Sequence, residues 1–425
     1  MRIALWFMGL FAVAVASALF AGSNHGTVTL FLPPHRVDVS LNLFLILLTV
    51  GFITLHYAMR ALAALMDIPR QARRWRMLQK ERAMHSALLD AFVHLTAGRF
   101  VRARKAAELA LALEESVEHS HERLAYTTRL RIVAHMLAAE GTHALQDRSV
   151  RDTHFQQALK EAENRDAHDA RDGVGLLGAR WALDDRDAVL AMQFLEQLPV
   201  GASRRTAALR LRFRAARLIG QSQMALETAR LLTKHRAFTE VAGTSIAREL
   251  AIELIRAAHD PVQLQRAWDA LSRSEQHIPE VALEAAQRLL QHEGNAVVAR
   301  HWVLPVWDSM TQNLDAMTLE QRVRLARILE RSFDTTDSTP DAQWLARVEQ
   351  AQLGNPRDAV LQYLAGVVCM RLGLWGKAQQ MLKQSLVFVR DQELRRDAWL
   401  ALAALAEQRQ DAQAATQAYR EAAKR

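Results

Sequence analysis

Residues 209–232 read LRLRFRAARLIGQSQMALETARLL, and the order of small and large side chains in this stretch decides the fold. When two helices pack as a hairpin, small residues must sit where the backbones cross and large ones must fill the space beside the crossing. Leu209, Phe213, Ala216, Gly220, Ala225 and Leu232 fall at the offsets of one tetratricopeptide unit. Ala191 precedes Ala225 by 34 residues, and Ala179 and Ala182 take the matching places on the helix before it. Thirty-four is the tetratricopeptide period. One such hairpin cannot cover its own apolar side, so neighbouring hairpins stack and share a core.

The pattern continues in both directions. Towards the C-terminus, Gly366, Gly373, Trp375, Ala378 and Leu382 form one unit, and Trp399, Leu402, Ala403, Ala415, Tyr419 and Ala422 form the next. These two are offset by 37 residues, which places a three-residue insertion between them. Towards the N-terminus, Gly98, Phe100, Ala103 and Ala110 open another unit, with a turn at Ala97-Gly98-Arg99. Gly294 and Ala299 mark a degenerate unit, and residues 120–160 and 240–275 read as helical without matching the consensus well. Aromatics make up only 6% of the chain and few windows alternate with period two, so an all-α fold is expected.

The first sixty residues have another character. Ile3–Ala21 is a run of nineteen residues without a charge, and Leu41–Met59 is a second such run, broken only by Asn42 and His56. Each approaches the roughly 20 residues that cross a hydrocarbon core. After the second run come Arg60, Arg70, Arg73, Arg74, Arg76, Lys80 and Arg82, and Arg2 precedes the first. The positive-inside rule puts both flanks in the cytoplasm. The sequence therefore predicts an N-terminal two-helix transmembrane hairpin over 1–60, with spans 3–21 and 41–59 and a short periplasmic loop at 22–40. A basic juxtamembrane helix follows at 61–85, and a tetratricopeptide-type α-solenoid at 86–425. Within the loop, Thr27–Phe31 and Val37–Val39 can pair as short strands around Pro33-Pro34. A rival reading takes Ala16-Ser17-Ala18 as a signal-peptidase site, which leaves one span and the same side for the C-terminal body.

Charge and cysteine usage narrow the function classes. The net charge of +8 is concentrated behind the second apolar run, where it serves orientation better than nucleic-acid binding. Cys369 is the single cysteine, so intrachain disulfides, thiolate zinc sites and redox pairs are excluded.

Candidate catalytic motifs dissolve on inspection. Gly173-Val-Gly175-Leu-Leu-Gly178 satisfies G-x-G-x-x-G, but Asn164–Asp172 before it is too polar for the buried strand that a dinucleotide site needs. No phosphate loop ending in Gly-Lys-Ser/Thr and no nucleophile elbow occurs. Sixteen histidines invite a metal, yet His119 and His121 point to different sides of a helix and no ligand spacing emerges. Arg210, Arg214 and Arg217 do share a helix face at i, i+4, i+7, and Arg180 stands where Arg214 would in the preceding unit. On the first helix of each hairpin they form a candidate partner groove for carboxylates or an anionic ligand. A solvated charged face is the plainer alternative.

Two N-terminal spans, a short outer loop at Gly26–Ser40, a basic collar and the unit at Gly366, Gly373, Trp375 and Ala378 together resemble the proteobacterial HemY family. The resemblance implies a non-catalytic scaffold or regulator in the bacterial inner membrane, acting in late haem and porphyrin biosynthesis. Its implied partners are ferrochelatase and other late haem-pathway enzymes, bound through the repeat array, with no cofactor required. Haem or porphyrin binding stays open, a histidine or Cys369 being available as an axial ligand. A flavin-dependent protoporphyrinogen oxidase of the same family name is excluded, since its N-terminal dinucleotide fold is replaced here by an apolar span. The competing class is a tetratricopeptide adaptor for another envelope process, such as lipopolysaccharide assembly; the known adaptors of that kind carry C-terminal cysteine pairs that this chain lacks.

Overall fold

A computed structural model describes residues 2–23, 26–118, 126–164, 167–333 and 342–424. His119 and His121, Arg165 and Asp166 of the polar run, and the terminal Arg425 lie outside them, as do the side chains of Arg2, Arg70, Arg73 and Arg74. The chain divides into two compact units, Met1–His168 and Asp169–Arg425.

Unit 1 begins with α1 (Arg2–Ser23), β1 (Thr27–Leu32) and β2 (His35–Ser40). The two strands pair antiparallel from Thr27↔Ser40 to Leu32↔His35, so the hairpin expected around Pro33-Pro34 is present and slightly longer. The Pro33-Pro34 peptide is cis. Proline has no amide hydrogen to extend the ladder, which fits the tight turn there. Ser40 ends β2 and caps the next helix, accepting a hydrogen bond from the Leu43 amide.

That helix, α2 (Leu41–Thr96), is 56 residues long and unbroken. Its first part, Leu41–Ala63, is apolar, without a buried residue, and long enough to cross a membrane. Among the described residues it is the one helix that meets that length. Of the two spans expected from the sequence, the described residues thus show one of that length; the apolar stretch described within α1 is Trp6–Leu19. The remainder of α2 packs on α3 (Phe100–Glu118), followed by α4 (Thr127–Ala144) and α5 (Arg148–Ala162). Gly98 makes the turn between α2 and α3 with φ 71°, a conformation that side chains disfavour. The seams of this unit are alanine: Ala87, Ala91, Ala103, Ala107, Ala110, Ala134 and Ala138 are all buried.

Unit 2 contains α6 (His168–Asp184), α7 (Ala188–Glu196), α8 (Val200–Ser203), α9 (Thr206–Ile219), α10 (Ser222–Lys234), α11 (Glu240–Arg256), α12 (Pro261–Asp269) and α13 (Arg273–Gln276). It continues with α14 (Pro279–Gln291), α15 (Ala296–Gln312), α16 (Leu319–Ser332), α17 (Ala342–Gly354), α18 (Ala359–Arg371), α19 (Trp375–Phe388), α20 (Gln392–Gln408) and α21 (Ala412–Ala423). Successive helices pack as hairpins, and along α11, α14, α16, α18 and α20 the first helix of each hairpin also meets the first helix of the next. This is a tetratricopeptide-like all-α repeat architecture. The residues that set the repeat in the sequence sit as that reading requires. Ala191, Ala216, Ala225 and Leu232 are completely buried, and Gly220 terminates α9 in the left-handed conformation at φ 78°. Gly366 shows why the first helix carries a glycine there: a Cβ would come within 2.7 Å of Leu382 Cγ and 3.2 Å of the Leu382 amide nitrogen.

Candidate functional site

The amphipathic pattern of α9 buries Ala208, Leu209, Ala215 and Ala216, which leaves Arg210, Arg214 and Arg217 together on the exposed side. Arg214 Nη1 donates to Asp184 Oδ1 of α6 at 3.1 Å. Arg217 reaches Glu253 Oε2 of α11 at 3.7 Å. Both pairs are about half exposed, so water screens them. Arg210 is exposed and has no ion pair among the described residues. Arg180 lies one helical turn before Asp184 on α6, half-buried and already engaged by a neighbour. The four arginines are thus one open cation, two cations bridging to adjacent first helices, and one that is partly covered.

The same arrangement recurs further along the unit, where no stripe or motif pointed to it. Glu284 of α14 accepts from Arg256 of α11 at 2.8 Å and from Arg324 of α16 at 2.6 Å, and Gln287 takes the second Arg324 bond at 2.6 Å. Burial pushes the Glu284 carboxyl up, but the hydrogen bonds and charges of Arg256 and Arg324 outweigh it and hold its pKa below the ordinary value. Arg327 of α16 bonds Asp397 at 2.8 Å and Glu393 at 2.7 Å, both on α20. Next to it, Tyr363 donates to Glu330 at 2.8 Å, and burial keeps the Glu330 carboxyl above its usual range. A cavity of about 430 Å³ opens among Arg256, Glu284, Arg324, Arg327, Arg331 and Glu393. Its cations and anions are matched, and among the described residues no group of three histidine, cysteine or carboxylate side chains could hold a metal ion. Its charged groups can recognise a ligand by hydrogen bonds and ion pairs.

The sequence motifs left open resolve by position. Gly173, Gly175 and Gly178 lie inside α6, so there is no strand–turn–helix at this G-x-G-x-x-G, and the Gly175 site is closed by Leu198 at 3.0 Å from an added Cβ. Cys369 is fully buried against Ala378 and Leu405, and burial pushes its thiol above the usual value. No ligand can reach that sulfur without opening the helix pair.

One polar cluster escaped the sequence altogether. In unit 1, His135 of α4 and His154 of α5 face each other with Nδ1···Nδ1 at 3.1 Å, and His154 Nε2 lies 3.7 Å from Glu108 of α3. Burial, then the neighbouring charges of His154 and Arg131, push His135 down to about 4. His154 is lowered by burial against the opposing pull of Glu108. The partners are 19 residues apart on different helices, a spacing that no local motif search selects.

Comparison with known proteins adds a match over part of the N-terminal region. Residues 26–129 match the family model described as the HemY protein N-terminus. No curated protein matches the chain. Among solved structures, the Naa15/Naa10 complex bound to HypK-THB has 12% identity and a TM-score of 0.25, over 76% of this chain and 56% of that one. The APC/C hetero-tetramer Cut9–Hcn1 has 13% identity and a TM-score of 0.28, over 79% and 65%. The P58(IPK) TPR domain has 15% identity and a TM-score of 0.22, over 77% and 99%. The chain thus spans less than two thirds of the first two of these proteins.

Proposed function

We propose, from the match of residues 26–129 to the HemY protein N-terminus, that the protein is a non-catalytic scaffold or regulator in the bacterial inner membrane, serving late haem and porphyrin biosynthesis. The match carries this reading because it runs through the β-hairpin, the apolar part of α2 and the first helical repeat as one block. In the proposed topology α1 and α2 both enter the membrane, with the β-hairpin outside. Arg60, Arg76, Lys80 and Arg82 then keep the remainder of α2 and the repeats in the cytoplasm. The repeats bind ferrochelatase or a neighbouring pathway enzyme, and the α9 face with Arg210, Arg214 and Arg217 is the candidate contact. Those arginines recognise carboxylates by exchanging the half-exposed partners Asp184 and Glu253 for those of the bound protein.

The test is capture of the tagged protein from gently solubilised membranes after brief crosslinking. Recovery of late haem-pathway enzymes is the expected result. Recovery of envelope-assembly enzymes in their place would overturn the proposed pathway and favour the adaptor class. Changing Arg210, Arg214 and Arg217 to Glu should then reduce the recovered partner while leaving helicity intact. Undiminished recovery with the folded triple variant removes the α9 face from the binding site.

A further inference from the structure

Past the apolar segment, α2 carries a second hydrophobic stripe that is largely exposed, with Tyr126 packed on His85 near its middle. Trp75, Leu78, Leu89, Phe92 and Val93 are between 51% and 66% exposed, whereas Met84, Ala87 and Ala91 on the opposite side are buried against the repeats. The exposed set is ordered. Trp75, Leu78, Arg82, His85, Leu89 and Phe92 follow one another in alternating steps of three and four residues. That is the seam of a two-stranded coiled coil, the pattern by which a helix packs along another of the same pitch. Val93 borders the seam, and Ser86 and Asp90 begin the polar side. In a repeat array the first helix needs a polar outer face to stay soluble; this one is apolar.

We propose that this stripe is the contact between two copies of the chain, paired in parallel along α2 beside the membrane. The inference rests on the reading of Leu41–Ala63 as a membrane span. Because α2 is one unbroken helix from Leu41 to Thr96, two copies anchored with the same orientation present the stripe in parallel and at the same height. Trp75 then meets Trp75, and Leu89 meets Leu89, so the surface is self-complementary as a two-fold contact requires. A membrane also removes most of the search in space, which raises the effective concentration of the second copy.

The size of the patch makes the pairing depend on that confinement. An aromatic side chain buries about 150–250 Å² when fully covered. Two partly exposed aromatics and three aliphatics therefore offer on the order of 400 Å² per copy, about half of what each partner contributes to a stable soluble complex. Arg82 and His85 in the middle of the seam lower the affinity further, since the two Arg82 cations repel and the imidazole is polar. Glu81, one residue before Arg82, is half-buried and accepts a hydrogen bond from Tyr126 of its own chain, so it does little to offset this cost. A weak pair, strong only on a membrane, is the expected behaviour.

The test uses the full chain in isolated membranes, with Cys369→Ser to clear the background. Leu89→Cys is placed in the seam and Asp90→Cys outside it; both positions are exposed, so neither change disturbs the packing. Under mild oxidation the Leu89→Cys protein should form a disulfide-linked dimer several-fold more than the Asp90→Cys protein. Adding Phe92→Glu should abolish the difference. Equal crosslinking at both positions in membrane-extracted protein overturns the pairing and leaves the anchor in place. A chain that fractionates with the soluble proteins overturns the anchor and the pairing together. A monomer whose stripe is held by another protein shows as absent self-crosslinking at Leu89→Cys, and that result also rejects the proposal.

Discussion

The two units fill their interiors with different residues. In unit 1, α2, α3 and α4 meet over alanines such as Ala91, Ala107 and Ala138, and beside Met84, Leu130, Ile132 and Phe155 lie polar groups: His135 with His154, and Arg131 bridging Glu114 at 2.7 Å and Glu161 at 3.6 Å. In unit 2 the interior holds Trp268 stacked on Trp302 at 4.7 Å, and Trp344 edge-on to Trp307 and Phe333 at about 6 Å. Alanine lets helix backbones come close but removes little apolar area from water, so unit 1 relies on polar pairs for its geometry. Tryptophan buries a large area, so unit 2 depends on packed volume in addition to its ion pairs. Unit 1 should therefore respond to protonation, and unit 2 to lost volume.

The largest effect tests the second half of that contrast. Trp302 is 3% exposed and packs face to face on Trp268. Trp302→Ala should destabilise unit 2 by about 3–5 kcal/mol, the usual cost of deleting a buried tryptophan. Hydrogen exchange should show the loss in α12 to α16 and leave α3 to α5 protected. Equal loss in both units would break the contrast, because it would mean that they unfold as one.

Overfilling comes next. At Gly366 an added Cβ meets both the side chain and the backbone nitrogen of Leu382, so α18 and α19 must separate. Gly366→Ala should cost about 1–3 kcal/mol. Gly376, with nothing within 4 Å of its Cβ position, should accept alanine without loss. Urea unfolding of the two variants side by side gives the answer, and equal midpoints would remove the steric explanation.

What could be read from the sequence follows the same line. Ala191, Ala225, Gly366 and Leu382 were legible because contacts within a hairpin recur at a fixed short spacing, and each position tolerates only a narrow range of size. The strands at Thr27–Leu32 and His35–Ser40 were legible from β-branched residues around a proline pair. The polar contacts were not. Arg327 and Asp397 are 70 residues apart, Arg324 and Glu284 are 40 apart, and each pair joins helices of different repeats. A charged residue on an exposed helix face looks the same whether it meets a partner or water. The α9 arginines were visible as a stripe, while their pairing with Asp184 and Glu253 depends on how neighbouring hairpins stack.

The pH response tests the first half of the contrast. His135 is pushed down from an ordinary 6.5 to about 4, so the folded unit holds it neutral where the unfolded chain would protonate it. The stability it contributes is present above pH 6.5 and is lost as pH falls towards 4. Solvent screening at this half-buried position reduces the full linkage to about 1–2 kcal/mol. His154 shifts in the same direction, by burial first, with Glu108 beside it opposing the shift and Arg104 adding to it. Hydrogen exchange in α4 and α5 should therefore accelerate between pH 6.5 and 4.5 relative to unit 2, after correction for the intrinsic rates. His135→Gln should flatten that slope. An unchanged slope in the variant would move the pH sensitivity elsewhere.

The smallest effect separates stability from recognition at the α9 face. Arg214 and Asp184 form a direct bond, but both are substantially exposed, at 53% and 37%. An ion pair in that setting gains little, because water and salt screen the charges and two flexible side chains lose freedom in forming it. A double-mutant cycle with Arg214→Ala and Asp184→Ala should give a coupling energy of about 0.2–1 kcal/mol, shrinking with added salt. If the α9 face binds a partner through carboxylates, Arg214→Ala should weaken that binding by more than it weakens the fold, since the arginine exchanges one carboxylate for another. Asp184→Ala should strengthen binding, because it frees the cation that the partner needs. A coupling above about 2 kcal/mol would instead mark the pair as part of the structural framework. In that case the open Arg210 becomes the place to look for the partner's contact.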